Sequence, residues 1–446
     1  MKKILNIALG EISTGELGIA LAFAKNLSRA KYDNYFLVPD EKQHIMGKVE
    51  YGHVMTVSRS QTPVENHEII MKYIQANDFD AMVLFDIFTF EYSQDWTGIN
   101  FDIIRSLGIP IISLDEYEYT KAGYKLDYYG IFVKRLPALL EKCDFIIKNC
   151  PLSMIENHDK CFAQGLKKNE YYYRVFDTMN RISEEEKQEI REKYIYSKTG
   201  KRNAKIVCLT TSEWEIKGAY AFSCQNTLAS WLGNILHEYL KELDEDITLL
   251  HLGAENWTIA AQDGQVSYVH YDSFPVDVFE RVIQSADLFV TYNLISITLS
   301  KAMLFGVPAL VLNNSKIIEF DRLKDKLRER PLWYQKMALE VKKVYPFTAS
   351  MFGWKNFLKF ILTDNAYVNT FKSVDMFNYQ KTKEILRSMI FDNDMRKQIL
   401  EDNEKFIKNY KKVRSAEDVL DDIMQQIEQR KYNNDVLREL QCSSEI

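Results

Sequence analysis

Cysteine is scarce in this chain and shows no pairing pattern. Six residues, Cys143, Cys150, Cys161, Cys208, Cys224 and Cys442, are spread through 446 positions. None forms a CxxC pair, and no histidine stands at zinc-ligand spacing beside one. That excludes a zinc ribbon or a disulfide scaffold and predicts reduced, mostly buried thiols. A basic surplus is missing too: 57 Lys and Arg face 63 Asp and Glu, a net charge of −6. Bulk attraction to phosphate backbones is therefore not expected, nor a nucleic-acid partner. Long apolar runs are absent. The opening MKKILNIALG places two lysines before an apolar run, but that run breaks at Asn6 and meets Glu11 before any small-residue cleavage site. It reads as a buried strand, not a signal peptide. The longest uncharged stretch, Ala219–Leu236, carries Ser, Gln, Asn and Thr throughout, so it reads as a helix of a soluble protein with no membrane span. The expected location is cytoplasmic.

What is present is a core. With 46% hydrophobic and 27% charged residues, the chain is too apolar for disorder and long enough for two or three domains of roughly 150 residues. Short apolar runs alternate with amphipathic stretches: Ile4–Leu9, Tyr35–Val38, Ala81–Phe85, Pro110–Leu114 and Phe145–Ile147 as strands, Gly15–Ser28 and His67–Gln75 as helices. Continuous apolar strands separated by helices are what a parallel sheet covered on both faces requires. Residues 1–182 therefore read as one Rossmann-like domain. Residues 183–204 read as a linker, a charged helix opened by a capping box (Ser183, Glu186) and ending in the polar SKTGKRNAK. The pattern restarts with strands at Lys205–Leu209, Thr248–Leu252, Ser267–Val269, Leu288–Thr291 and Ala309–Leu312, giving a second Rossmann-like domain over 205–330. Residues 331–446 read as a helical extension, with periodic segments at Lys381–Arg387 and Met395–Tyr410, and its last helix is expected to pack back on the first domain.

Three loops stand where strands hand over to helices, the edge at which open α/β sheets bind ligands. The first, Gly10 to Gly18, is neither GxGxxG nor a P-loop, but it brings Glu11, Ser13, Thr14 and Glu16 to a helix N-terminus. The second, Thr210-Thr211-Ser212, sets three hydroxyls at a strand end, suited either to phosphate or sugar oxygens or to capping the next helix. The third runs from Ser285-Ala286-Asp287 through Asn293, Ser296, Thr298 and Lys301 to the Gly306-Val307-Pro308 turn and the strand that ends before Asn313.

That third stretch resembles the C-terminal domain of GT-B glycosyltransferases, in which a run of the form ADLVIS…GxxTxxEAxxxGxPxLxxP grips a nucleotide-sugar. Val269-His270-Tyr271 through Pro275 is similar to the segment that faces the nucleobase in that family. Aligned through Ala20-Leu21-Ala22, Ser13-Thr14-Gly15-Glu16 falls where the peptidoglycan GlcNAc-transferase branch has TGGH, so Glu16 takes the place of the histidine. The resemblance covers residue 1 to about 315 and the C-terminal end. It implies an α/β, GT-B-like fold, two Rossmann-like domains facing across a cleft with a helical C-terminal extension. It also implies transfer of a sugar from a nucleotide-sugar, UDP-linked donors among the candidates, to a small-molecule or peptide acceptor by direct displacement. Neither metal nor cofactor is expected, and no DxD ends a strand.

On that reading Glu16 is the base, expected to be ionised by the helix N-terminus. Glu11, Ser13, Thr14, Asp86, Asp115 and Glu116 line the acceptor cleft. Thr210, Thr211, Ser212, His270, Tyr271, Asn293, Ser296, Thr298, Lys301 and Asn313 hold the donor. Lys301 departs from the pattern: relatives carry there an acidic residue that accepts from the ribose hydroxyls, which a cation does not do. Two outcomes are open for it, contact with the donor phosphates or exposure to solvent. An epimerase or hydrolase of the same fold, and a non-catalytic partner protein, are the alternatives. The aromatic block over 345–367 has no assigned role, a lid, an acceptor element or a packed extension all being open.

Overall fold

The computed structural model describes residues 1–10, 14–46, 52–126, 134–153, 169–176, 180–211, 226–253, 257–313, 324–343, 362–363 and 365–444. Its first half contains β1 (Lys2–Ile7), α1 (Gly15–Lys25), β2 (Tyr32–Pro39), β3 (His53–Val57), β4 (Ala81–Leu84), α2 (Ile87–Tyr92), β5 (Ile111–Leu114), a short hairpin of β6 (Lys125–Leu126) and β7 (Lys134–Arg135), β8 (Phe145–Cys150) and β9 (Glu170–Arg174). Seven of these strands form a parallel sheet in the order β3-β2-β1-β4-β5-β8-β9. Every residue of β4 and β5 is buried, as the apolar runs require of strands covered on both faces.

The chain then crosses through α3 (Glu184–Arg191). The Ser183 hydroxyl accepts from the Glu186 amide at 3.2 Å while the Glu186 carboxylate accepts from the Ser183 amide at 2.9 Å. The polar stretch read as a loop continues helically as far as Thr199, and Gly200, at φ +68°, ends it. The second half holds β10 (Lys205–Thr211), α4 (Asn226–Lys241), β11 (Ile247–Gly253), β12 (Gln262–Asp263), β13 (Val266–Tyr271), α5 (Val276–Gln284), β14 (Leu288–Thr291), α6 (Ile297–Leu304), β15 (Ala309–Asn313), β16 (Lys372–Asp375), α7 (Asn393–Tyr410) and α8 (Ala416–Ser444). Its sheet runs β12-β13-β11-β10-β14-β15-β16, parallel except at β12. The segment 219–225 read as helix lies outside the described residues. β16 lies inside the stretch read as a helical extension: Lys372 and Ser373 are exposed and only Val374 is buried, so this edge strand has no apolar run to announce it.

α8 returns to the first sheet. The Ser28 amide donates to Glu417 at 2.6 Å, and the Lys31 ammonium reaches Glu417 and Asp421, both at 2.7 Å. One apolar cluster joins the first sheet, α1 and one face of the second sheet, with α8 included. A separate cluster under α4 fills the other face. No helix among the described residues is long and apolar enough to cross a membrane.

Candidate active site

In each sheet the strand order reverses beside its central strand, between β1 and β4 in the first and between β10 and β14 in the second. Open α/β sheets bind ligands in the crevice at the carboxyl ends of such strands. Glu16 and Asp86 follow β1 and β4; Thr210-Thr211 and Asn293 belong to the ends of β10 and β14. Both sheets thus present the sequence-derived polar groups at their switch points.

Glu16 is buried in the first turn of α1. One carboxylate oxygen accepts from the Gly10 amide and the other bonds the Thr89 hydroxyl. Gly10 makes this possible, because a Cβ there would collide with the carboxylate. Asp86 is the N-cap of α2, accepting from the Phe88 amide at 2.8 Å and the Thr89 amide at 3.1 Å. Burial, and then the nearby Asp86, push the Glu16 carboxyl up to about 8. This overturns the expectation of an ionised Glu16: desolvation outweighs the helix N-terminus and the two hydrogen bonds. Burial also raises Asp86, and it raises Glu116 well above the carboxylate range with Asp86 and Glu16 adding to it.

Hydrogen counting agrees. The Thr89 hydroxyl has a single hydrogen, yet it bonds both Glu16 and, at 3.1 Å, the Asp86 carbonyl. Both are satisfied when Glu16 carries a proton and donates to Thr89, which then donates to the carbonyl. The site thus gathers three acids, each raised by burial.

Asp115 does not join it. Completely buried, it accepts from the Tyr119 amide at 2.7 Å and the Thr120 hydroxyl at 2.9 Å, and lies 3.6 Å from the Lys148 ammonium. Burial by itself would pull Lys148 down; Glu118 at 2.7 Å, with Asp115 and Glu170, holds it up instead. Asp115 is therefore spent on an internal ion network, which corrects its placement in the acceptor cleft.

On the second sheet, Thr210 and Thr211 are buried at the end of β10. The Thr211 hydroxyl bonds His251 Nε2 at 2.8 Å, and the Tyr268 hydroxyl bonds His251 Nδ1 at 2.9 Å. Burial and His270 push His251 down to about 3, so the ring is neutral and one nitrogen accepts. His270 bonds the Gly253 carbonyl at 2.8 Å and lies 3.6 Å from Asp272. Gly253 has φ +129°, and a Cβ there would collide with the Thr211 carbonyl. Asn293 bends the β14–α6 loop by accepting from the Ile295 amide at 3.0 Å. Ser296, half-buried, is the N-cap of α6 and makes no side-chain cap bond; Thr298 is half-buried in the first turn, and Asn313 ends β15.

Two donor assignments change. The Tyr271 hydroxyl donates to the Tyr194 carbonyl at 2.8 Å and the Lys198 ammonium lies 3.7 Å from its ring centre, so the side chain is engaged by the linker. Lys301, buried, meets Glu280 at 2.8 Å and lies 5.4 Å from the Phe176 ring centre. Neither expected outcome describes it: its charge is answered by an acid on α5, not by solvent. Thr14 precedes α1 without a side-chain cap bond. Glu11, Ser13, Ser212 and residues 345–361 and 364 of the aromatic block lie outside the described residues. The end of that block locks α6, the Tyr367 hydroxyl bonding Ser300 at 2.9 Å. Thr89, Lys148 and His251 were not singled out from the sequence. Thr89, three residues after Asp86 at a strand-to-helix turn, was the findable one.

The chain shares its architecture with solved GT-B glycosyltransferases. Arabidopsis thaliana UGT89C1 complexed with UDP matches at TM-score 0.54 and 12% identity, over 96% of this chain and 100% of that one. The spinosyn forosaminyltransferase SpnP matches at 0.53 and 10%, over 96% and 99%. Anabaena HepE in complex with UDP matches at 0.50 and 11%, over 96% and 100%. No curated protein matches the sequence. The profile of a family of unknown function, DUF6365, matches residues 23–429, well over half of the chain, and the protein therefore belongs to that family, on a GT-B fold.

Proposed function

We propose that the chain is a metal-independent glycosyltransferase that moves a sugar from a nucleotide-sugar to a small-molecule or peptide acceptor. The observation that carries this reading is Glu16, a buried carboxyl raised to about 8 at the switch point of the first sheet. A raised carboxyl is a stronger base than an ordinary one, at the cost of being mostly protonated at neutrality. Glu16 takes the acceptor hydroxyl proton as the acceptor oxygen bonds to the anomeric carbon, and the nucleoside diphosphate leaves with the electron pair of the broken bond. The uncapped N-terminus of α6 and the hydroxyls of Thr210, Thr211, Ser296 and Thr298 receive the leaving charge, a task that needs neither metal nor cofactor. UDP, bound by UGT89C1 and HepE in their solved complexes, is the first nucleotide to try.

Glu16→Gln is expected to lose on the order of 100-fold in turnover while nucleotide affinity stays the same. Wild-type kcat/KM rises with pH, is half-maximal near 8 and levels off above it. Full turnover in Glu16→Gln removes Glu16 as base. A second reading, a donor-binding partner protein without transfer, is favoured by Lys301 standing in the acidic position. Incubation with a panel of nucleotide-sugars followed by phosphorus NMR separates the cases. Free nucleotide without acceptor indicates hydrolysis, an isomeric nucleotide-sugar indicates epimerisation, and unchanged donor that binds but never turns over with any acceptor indicates the partner protein.

A further inference from the structure

At the opposite end of the second sheet, α4 and the β12–β13 hairpin bring together three side chains that the proposed transfer does not use. His237, Glu238 and Asp263 each offer one ligand atom, and these atoms lie within 4.8 Å of one another. His237 is 4% exposed, and its Nε2, wholly buried, has no hydrogen-bond partner among the described residues. Burying an unpaired ring nitrogen is costly, and neither a donor nor an acceptor among the described residues answers it. The hairpin fixes Asp263: β12 pairs with Val266 and Ser267 at the start of β13, Gly264 turns at φ +60°, and the Ser267 hydroxyl donates to Gln262 at 2.7 Å. The two carboxylates already attract a cation, for the Lys241 ammonium sits 2.8 Å from Asp263 and 3.3 Å from Glu238.

We propose that His237, Glu238 and Asp263 form a binding site for a divalent transition-metal ion of the zinc class, which displaces the Lys241 ammonium and pins the β12–β13 hairpin to the C-terminal end of α4. A neutral imidazole with two carboxylates selects such an ion over calcium or magnesium, which take oxygen ligands. Metal–ligand distances of about 2.1 Å put ligand atoms about 3.4 Å apart in a tetrahedron, so from a spacing within 4.8 Å the side chains close by at most about 1.4 Å. The site faces away from the donor loops, because β12 pairs with the amino end of β13 while those loops follow the carboxyl ends of β10 and β14.

The test is equilibrium dialysis of Zn²⁺ against the chelator-stripped full-length chain, with Co²⁺ absorption as the check on a nitrogen ligand. One Zn²⁺ per chain is expected. His237→Ala and Asp263→Asn are each expected to weaken binding by about 100-fold or more. Asp263 is on the hairpin surface, so its variant keeps the test valid if His237→Ala fails to fold. Lys241→Met, which removes the competing ammonium, tightens binding about 10-fold. The proposal is overturned by absence of stoichiometric Zn²⁺, by wild-type affinity in Asp263→Asn, or by unchanged or weaker binding in Lys241→Met.

Discussion

Glu16→Gln should flatten the pH dependence of unfolding, and the size of the effect follows from the site. A carboxyl whose folded value is raised holds its proton in the native chain after the unfolded chain has lost it. Stability contributed by that proton is therefore fully present below the ordinary value of 4.5 and drains away as pH rises through about 8. The interval from 4.5 to about 8, at about 1.4 kcal/mol for each tenfold step, corresponds to about 5 kcal/mol. Relaxation of the site makes a few kcal/mol the realistic expectation. Glutamine mimics the protonated acid: its carbonyl accepts from the Gly10 amide, and its NH₂ donates to Thr89, which still donates to the Asp86 carbonyl. The variant thus removes the titration and little of the hydrogen bonding. Urea unfolding of both proteins from about pH 5 to about pH 9 reads the difference. Wild type should lose a few kcal/mol more than Glu16→Gln across that range, Asp86 and Glu116 contributing in both. Parallel curves for the two proteins would refute a raised Glu16, and with it the reason for preferring this carboxyl as base.

Two further outcomes are expected. Ser296→Ala with Thr298→Ala should weaken UDP binding by about 1–3 kcal/mol in calorimetric titration, since their hydroxyls stand at the N-cap and in the first turn of α6, where a diphosphate would take their hydrogen bonds; unchanged affinity removes that placement. Lys301→Met should leave UDP affinity alone and lower unfolding stability by about 1–3 kcal/mol, because Glu280 loses its partner in a partly buried setting, and adding Glu280→Gln should restore part of the loss; a change in UDP affinity with stability intact would place Lys301 at the donor instead.

The two sheets were legible because their central strands are apolar on both faces. Residues 81–84 and 111–114 are buried without exception, and runs of that kind are rarely anything but covered parallel strands. The edges were not legible. β3 begins with exposed His53 and Val54, and β16 has a single buried residue, so neither shows the run or the alternation on which a sequence reading depends. β9, buried as Glu-Tyr-Tyr-Tyr, hides its character behind polar atoms that only its neighbours satisfy or cover.

The site divides along a different line. Position at a strand end follows from the chain itself, so Glu16, Asp86, Thr211 and Asn293 were placed where the sheets do present them. What a side chain does there depends on charges that arrive from elsewhere in the chain. Asp115 follows a strand just as Asp86 does, yet Lys148 from β8 draws it inward and removes it from the cleft. Lys301 stands where the pattern resembled in the sequence has an acid, and an acid, Glu280, meets it from the neighbouring helix. Restoring Glu at 301 would set two carboxylates against each other, so such a variant would report on repulsion rather than on the ribose. Glu16 carries the same lesson in the opposite direction. Its helix N-terminus argues for a charged group, but α2 places Asp86 beside it and the fold removes its water, and in a buried site those terms are larger than a half-charge dipole. Glu16 is thereby given an affinity for protons that an exposed glutamate lacks, which is the property the proposed role of base requires.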